Sequence, residues 1–169
     1  MFSENTIFAR HLRQALPYFE EFQNQILVFH LGVFPSLEQN SRIIEDLVLL
    51  NQAGLQIILV HGPRETSLLS DSSSESYFEE YHSSIASANW ELQTRIQSIS
   101  SNVLTFSTHL IQALPSEIHP EEHRLPKGRV SGILLGPLQA ALNSGRLIII
   151  PSFGIGEKGR LWLLDSWET

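Results

Sequence analysis

At 169 residues, 42% of them hydrophobic and 17% charged, the chain has the length and composition of one globular domain with a real core. A net charge of −7 argues against wholesale binding to nucleic acid or to an anionic membrane surface, and the lack of cysteine excludes disulfides and thiolate metal sites. No apolar run is long enough to span a bilayer, and the start of the chain carries acidic Glu4 where a signal peptide is basic and then apolar, so a cytoplasmic location is expected.

Thr6 to Phe22 reads as helical. Phe8, Leu12, Ala15, Phe19 and Phe22 recur at spacings of three and four and give one apolar stripe. Pro17 lies inside the stripe and is expected to end one helix and open another, since proline suits a first turn and not an interior. Such a greasy helix packs either on its own core or on another subunit. Residues 1–22 are therefore set apart as a helical segment, and 23–169 as an α/β domain.

Ile26 to Leu31 is the first predicted strand, followed by a loop from Gly32 to Ser36. Leu37 to Ala53 is predicted as a helix with Ile43, Ile44, Leu47, Val48 and Leu50 on its buried face and Gly54 closing its end. The next strand is the most informative stretch. Ile57, Ile58, Leu59 and Val60 form a short apolar run between Gly54 and Gly62, the pattern of a strand buried on both faces in a parallel sheet. Strand, helix and strand with a short return make a right-handed βαβ unit, so the fold class is α/β. Ligands of open α/β sheets bind outside the carboxyl ends of the strands, which directs attention to His61, Gly62 and Arg64.

Ser67 to Ser76 holds six serines and two acids and reads as a mobile surface loop. Tyr77 to Ile99 is predicted as a helix, with a break near Ser83 and Ser84, and with Ile85, Leu92, Ile96 and Ile99 on its buried side. Val103 to Phe106 and Leu110 to Ala113 read as short strands, Pro115 to Lys127 as a polar connection, and Arg129 to Leu135 as strand-like. Pro137 to Asn143 is a short predicted helix ended by Gly145. Leu147 to Ile150 is a second strongly buried strand, and Leu161 to Leu164 is expected to return as a hairpin arm. There is no internal repeat.

Several patterns carry candidate chemistry. Gly154, Gly156 and Gly159 match G-x-G-x-x-G after a strand, but a dinucleotide site needs a following helix. Here Arg160 to Leu164 reads as a strand, which favours a hairpin. His119 and His123, four apart, would share a metal on a helix, yet Pro120 and the polar surroundings read as a loop without a third ligand. His30 and His61 each end a strand. Both either face one crevice or serve as hydrogen-bonded structural groups. Lysine is scarce: only Lys127 and Lys158 occur, and phosphoryl transfer needs fixed cations against developing charge. Arg64 and Arg129 are the best-placed cations, and a guanidinium suits a carboxylate because it grips both oxygens. For each, the alternative is an ordinary surface arginine.

These pieces coincide with a family pattern. Phe8 to Tyr18, Ile26 to Gly32, and the run from Ile44 to Arg64 ending in Val-His-Gly-Pro-Arg resemble the amino-acid-kinase domain of N-acetylglutamate synthases and, more distantly, N-acetylglutamate kinases. Gly128-Arg-Val, Ala140 to Gly145 and Leu147 to Pro151 follow in the same order. The resemblance implies a three-layer α/β/α fold with a mainly parallel sheet, of which this chain matches the N-terminal half. It also implies a link to arginine synthesis, through acetylation of glutamate or phosphorylation of acetylglutamate. In synthases of this type a separate domain transfers the acetyl group, and the kinase-like domain contributes oligomerisation and arginine feedback.

The departures from the family are chemical. Kinases carry a lysine two residues before the first-strand glycine, where this chain has His30. Their double glycine is reduced to Gly32-Val33, and their second glycine-rich loop to Gly62-Pro63-Arg64. The stretch that would hold the family's carboxylate-binding arginine is shortened into the serine tract. The nucleotide site and the acetyltransferase domain have no counterpart in the sequence. The expectation is a degenerate, pseudoenzyme-like module that binds a small acidic or amino-acid ligand such as N-acetylglutamate or arginine, and that associates with itself or with a full-length relative. The rival expectation is an acetylglutamate kinase or amino-acid N-acetyltransferase that completes its site across subunits. The expected ligand-binding residues are His30, Gly32, His61, Gly62, Arg64 and Arg129, with backbone amides of Gly32 and Gly62 meeting an anion. No catalytic residue, metal or cofactor is assigned.

Overall fold

The computed structural model describes residues 4–32, 37–62, 74–107, 109–116 and 127–164. Two four-stranded sheets share them. The first is parallel throughout and built from β1 (Ile26–His30), β2 (Gln56–His61), β3 (Val103–Thr105) and β6 (Leu147–Pro151), in the order β1-β2-β6-β3. The second is mixed, from β4 (Ile111–Pro115), β5 (Gly128–Ile133), β7 (Phe153–Ile155) and β8 (Leu161–Leu163), in the order β5-β4-β7-β8. The helices are α1 (Glu4–Phe22), α2 (Leu37–Gln52), α3 (Ser74–Ile99) and α4 (Leu135–Asn143).

The core follows from alternation along β2 and β6. Successive strand side chains point to opposite faces. Ile57 and Leu59 on β2, with Leu147 and Ile149 on β6, meet Ile44, Leu47 and Val48 of α2 and Ala88, Leu92 and Ile96 of α3. Ile58, Val60, Ile148 and Ile150 turn the other way, onto Ala141 and Leu142 of α4 and Ile111 and Ala113 of β4. Two strands buried on both faces are what a parallel sheet between layers requires. The expected α/β fold, three-layered and mainly parallel in its central sheet, is the one observed. The second sheet shares the layer on the α4 side.

Several boundaries differ from the sequence reading. Helix α1 runs unbroken through Pro17, so that residue neither ends nor opens a helix; it forfeits one backbone bond within a continuing turn pattern. Among the described side chains of α1, Ile7, Leu16, Tyr18 and Phe22 are exposed and Ala15 is half-buried. Phe8, Leu12 and Phe19 lie outside the described side chains. Helix α3 passes through Ser83 and Ser84 without a break and begins at Ser74, within the stretch expected to be loop. Its stripe of Ile85, Ala88, Leu92 and Ile96 is buried along the whole length, and this packing overrides the weak helix preference of the serines. Ile99 and Ile43 are exposed rather than core: Ile43 lies about 100° off the buried stripe of α2, whereas Ile99 keeps the phase of the α3 stripe but is the last residue of that helix. Leu135 begins α4 rather than ending β5, and β4 extends to Pro115. The rest of the serine tract falls outside the described residues.

The glycine pattern after β6 belongs to the β7–β8 hairpin, as expected. Its turn is the short 3-10 segment Glu157–Gly159, with Lys158 and Gly159 in the left-handed region at φ 56° and 77°. A Cβ on Gly156 would collide with the Trp162 indole nitrogen and lie 3.1 Å from the Ala113 carbonyl oxygen. These glycines serve close backbone packing, not a phosphate.

Candidate functional site

The parallel sheet brings its carboxyl ends together in register. His30 pairs with Val60, His61 with Pro151, and Thr105 with Ile149. The chain leaves β1 through Leu31 and Gly32, β2 through Gly62, β6 through Ser152 and β3 through Phe106. Of the residues expected to bind ligand, His30, Gly32, His61 and Gly62 therefore share one end of adjacent strands.

Their detailed geometry departs from the expected anion cradle. The Gly62 amide donates to the Gly32 carbonyl at 2.7 Å, so it is spent inside the protein and does not face an anion. Gly32 takes a left-handed turn at φ 56°, which places its backbone against the His30 ring: a Cβ there would meet His30 Cε1 at 3.4 Å. Glycine suits both demands.

His61 is fully buried, and both ring nitrogens are engaged. Nδ1 lies 2.9 Å from the Gly62 carbonyl oxygen, which can only accept, so Nδ1 carries the proton and donates. Nε2 faces the Asn89 side-chain amide at 3.3 Å. Burial lowers the His61 pKa below its ordinary 6.5; the bonds to Gly62 and Asn89 oppose that shift without cancelling it. The atom of Asn89 nearest Nε2 is its side-chain oxygen, so both ring nitrogens face acceptors, and a neutral ring donates to only one of them, the Gly62 carbonyl at the shorter distance. These contacts within the protein tie the end of β2 to α3.

Arg64, His119 and His123 lie outside the described residues. Arg129 is exposed on β5, the edge strand of the second sheet, and does not join the β1–β2 ends. Among the described residues no cluster of three or more histidine, aspartate or glutamate side chains could hold a metal ion. No helix among them is long and apolar enough to cross a membrane.

Two polar side chains at the same ends escaped the sequence reading. The Ser152 hydroxyl, 1% exposed as a residue, and the Thr105 hydroxyl are buried without a hydrogen-bond partner. Ser152 is fixed beside His61, since its amide donates to the His61 carbonyl at 3.0 Å. The only available signal was position: Thr105 falls near the end of one predicted strand and Ser152 just beyond the end of another.

This arrangement defines an α/β domain with the amino-acid-kinase fold. No family model matches the chain. Over 81 residues it is 37% identical to the acetylglutamate kinase of Agrobacterium fabrum, a match covering 46% of this chain and 28% of that one. An N-acetylglutamate synthase from Neisseria gonorrhoeae, solved with coenzyme A and N-acetyl-glutamate, superposes with a TM-score of 0.70 at 19% identity, over 94% of this chain and 41% of that one. The same synthase solved with coenzyme A and L-arginine gives 0.67 at 18% identity, over 94% and 42%. Each of these matches covers less than half of the other protein's length. It carries an amino-acid-kinase-like domain of the kind found in N-acetylglutamate synthases, and part of its sequence is related to acetylglutamate kinases, enzymes of arginine biosynthesis.

Proposed function

We propose that this chain is a binding and assembly module, not a phosphotransferase on its own, and that it recognises a small amino-acid carboxylate of the N-acetylglutamate or arginine type. The observation that carries the reading is the convergence of the β1, β2 and β6 carboxyl ends around an unpaired Ser152 hydroxyl, in a fold that matches a synthase solved with N-acetyl-glutamate. Carboxyl-end crevices are where open α/β sheets take ligands. Arg64, two residues beyond Gly62, supplies the cation for the carboxylate in this reading.

The lack of phosphotransfer rests on His30 standing where kinases of the resembling family carry lysine. An imidazole, unlike a lysine ammonium, is not a permanent positive charge to set against the transferred group. The rival reading, a kinase or N-acetyltransferase that completes its site across subunits, draws support from the sequence similarity to acetylglutamate kinases.

Calorimetric titration with N-acetylglutamate and with L-arginine, alongside an assay for ATP-dependent phosphorylation of N-acetylglutamate, separates the two. The expected result is saturable binding of at least one amino-acid ligand, weakened about tenfold or more in Arg64→Ala, with no phosphorylated product. ATP-dependent product from the pure protein would overturn the non-catalytic reading, and unchanged affinity in Arg64→Ala would remove that residue from the site.

A further inference from the structure

A second opening lies away from the β1–β2 ends, where α3 crosses the outer edge of the parallel sheet. It is a cavity of about 460 Å³ between α3 and β3, closed at one end by Pro151 and Phe153. That volume is within the range of small-molecule sites. Its polar groups are the carboxamides of Asn89 and Gln93 and the imidazole of His82 from α3, with the hydroxyl-bearing Thr105 and Ser107 opposite. Among the described residues no lysine, arginine, aspartate or glutamate lines it.

Aromatic surface completes the cavity. His82 lies 5.0 Å from the Phe153 ring, centroid to centroid, and stacks at 6.3 Å on Phe78. Trp90 borders the opening with 70% of its surface exposed, an unusual position for the largest apolar side chain on α3. Its indole offers a flat face and one N–H donor.

The wall opposite α3 is an open strand edge. Among the described residues β3 pairs only with β6, and the bonds Leu147 N–H to Asn102 C=O and Phe106 N–H to Ile149 C=O fix which residues face β6. Backbone groups alternate along a strand, so those of Val103 and Thr105 turn to the open edge. The buried Thr105 hydroxyl has no partner there. A flat wall with alternating donors and acceptors, facing two carboxamides and an indole, complements a planar molecule whose rim carries both N–H and C=O. With no carboxylate, ammonium or guanidinium among the described lining residues to repay desolvation, a charged ligand is selected against.

From this we infer that the α3–β3 cavity is a binding site for an uncharged, planar lactam or carboxamide heterocycle of about the size of a nucleobase. It uses residues other than those of the proposed carboxylate site and does not depend on that reading.

Two matched pairs of probes test the chemistry: uracil against orotate, and nicotinamide against nicotinate. Ligand-observed NMR titration follows each with the full chain and with Trp90→Ala and Gln93→Leu. Both positions are solvent-accessible, and unchanged unfolding midpoints verify that the variants are folded. The expected result is saturable, sub-millimolar binding of a neutral probe, its anionic counterpart about tenfold weaker, and a loss of about fivefold or more in each variant. Absence of saturable binding by both neutral probes overturns the inference, as does equal binding of the anions or affinity unchanged in both variants. N-acetylglutamate titrated into the same samples reads the other site, so failure at one is distinguishable from failure at the other.

Discussion

The buried imidazole of His61 makes folding stability depend on pH in a defined direction. The folded ring is neutral because burial lowers its pKa below 6.5, while the ring of the unfolded chain titrates near that ordinary value. Between the two pKa values the unfolded chain binds more protons, so stability rises with pH across that window and is lost as pH falls through it. Above 6.5 both states are neutral and the contribution is constant; below the folded pKa both are charged and the loss stops. The slope from this single group is at most about 1.4 kcal/mol per pH unit. In a domain of this size each kcal/mol moves the thermal midpoint by about 2–4 °C. The chain has seven histidines in all, so the informative quantity is the difference between wild type and His61→Gln, which stays neutral and retains an amide donor for the Gly62 carbonyl. Urea unfolding at about pH 7.5 and about pH 5.5 is expected to show wild type losing up to about 1.4 kcal/mol more than the variant on acidification. Parallel losses in both proteins would refute the argument that His61 is held neutral by burial.

The remaining predictions concern packing, charge and assembly. Gly156→Ala places a methyl group against the Trp162 ring and the Ala113 carbonyl, and chemical denaturation is expected to show a loss of about 1–3 kcal/mol; a neutral substitution would mean that the β7–β8 hairpin shifts freely. The ion pair of Arg95 with Glu45 joins α3 to α2 at 2.6 Å but is solvent-accessible on both sides. A double-mutant cycle is expected to give only about 0.2–1 kcal/mol, falling with added salt. If the exposed apolar side chains of α1 form a subunit contact, deletion of residues 1–22 is expected to lower the number of subunits measured by light scattering; an unchanged number would refute that role.

The βαβ unit was legible because strands buried on both faces have few alternatives. Ile57 to Val60 and Leu147 to Ile150 announce themselves as unbroken apolar runs, and the neighbouring helix stripes at Ile44, Leu47 and Val48 and at Ile85, Leu92 and Ile96 fit the faces those strands offer. The second sheet was only partly visible. Phe153–Ile155 is three residues of strand between glycines, and its pairing with β4 and β8 depends on contacts distant in sequence. Pro17 misled because a local rule was applied to a helix whose other turns tolerate one missing bond. At the candidate site, strand-end position identified His61 and Gly62. Their hydrogen bonds could not be read, because one partner, Asn89, lies 28 residues away on α3 and the other is the carbonyl of Gly32.

Those internal bonds divide the sheet's carboxyl end into scaffold and working surface. At β2 the His61 ring is used at both nitrogens and the Gly62 amide is used by Gly32, so the end of the central strand is a fixed wall. In the proposed carboxylate site, recognition is then expected from other groups, with Arg64 as the proposed cation and Ser152 as a hydroxyl at the end of β6. Asn89 stands on both sides of the division. Its amide holds His61, and the same residue lines the α3–β3 cavity. Anything that turns the Asn89 amide in the cavity changes the hydrogen bond available to His61 Nε2, and with it the pKa that burial sets for the ring. If the cavity fills as inferred, uracil or nicotinamide should therefore alter the pH dependence of unfolding in wild type and leave that of His61→Gln untouched. This result would join the two sites through one side chain, and an equal effect in both proteins would leave them independent.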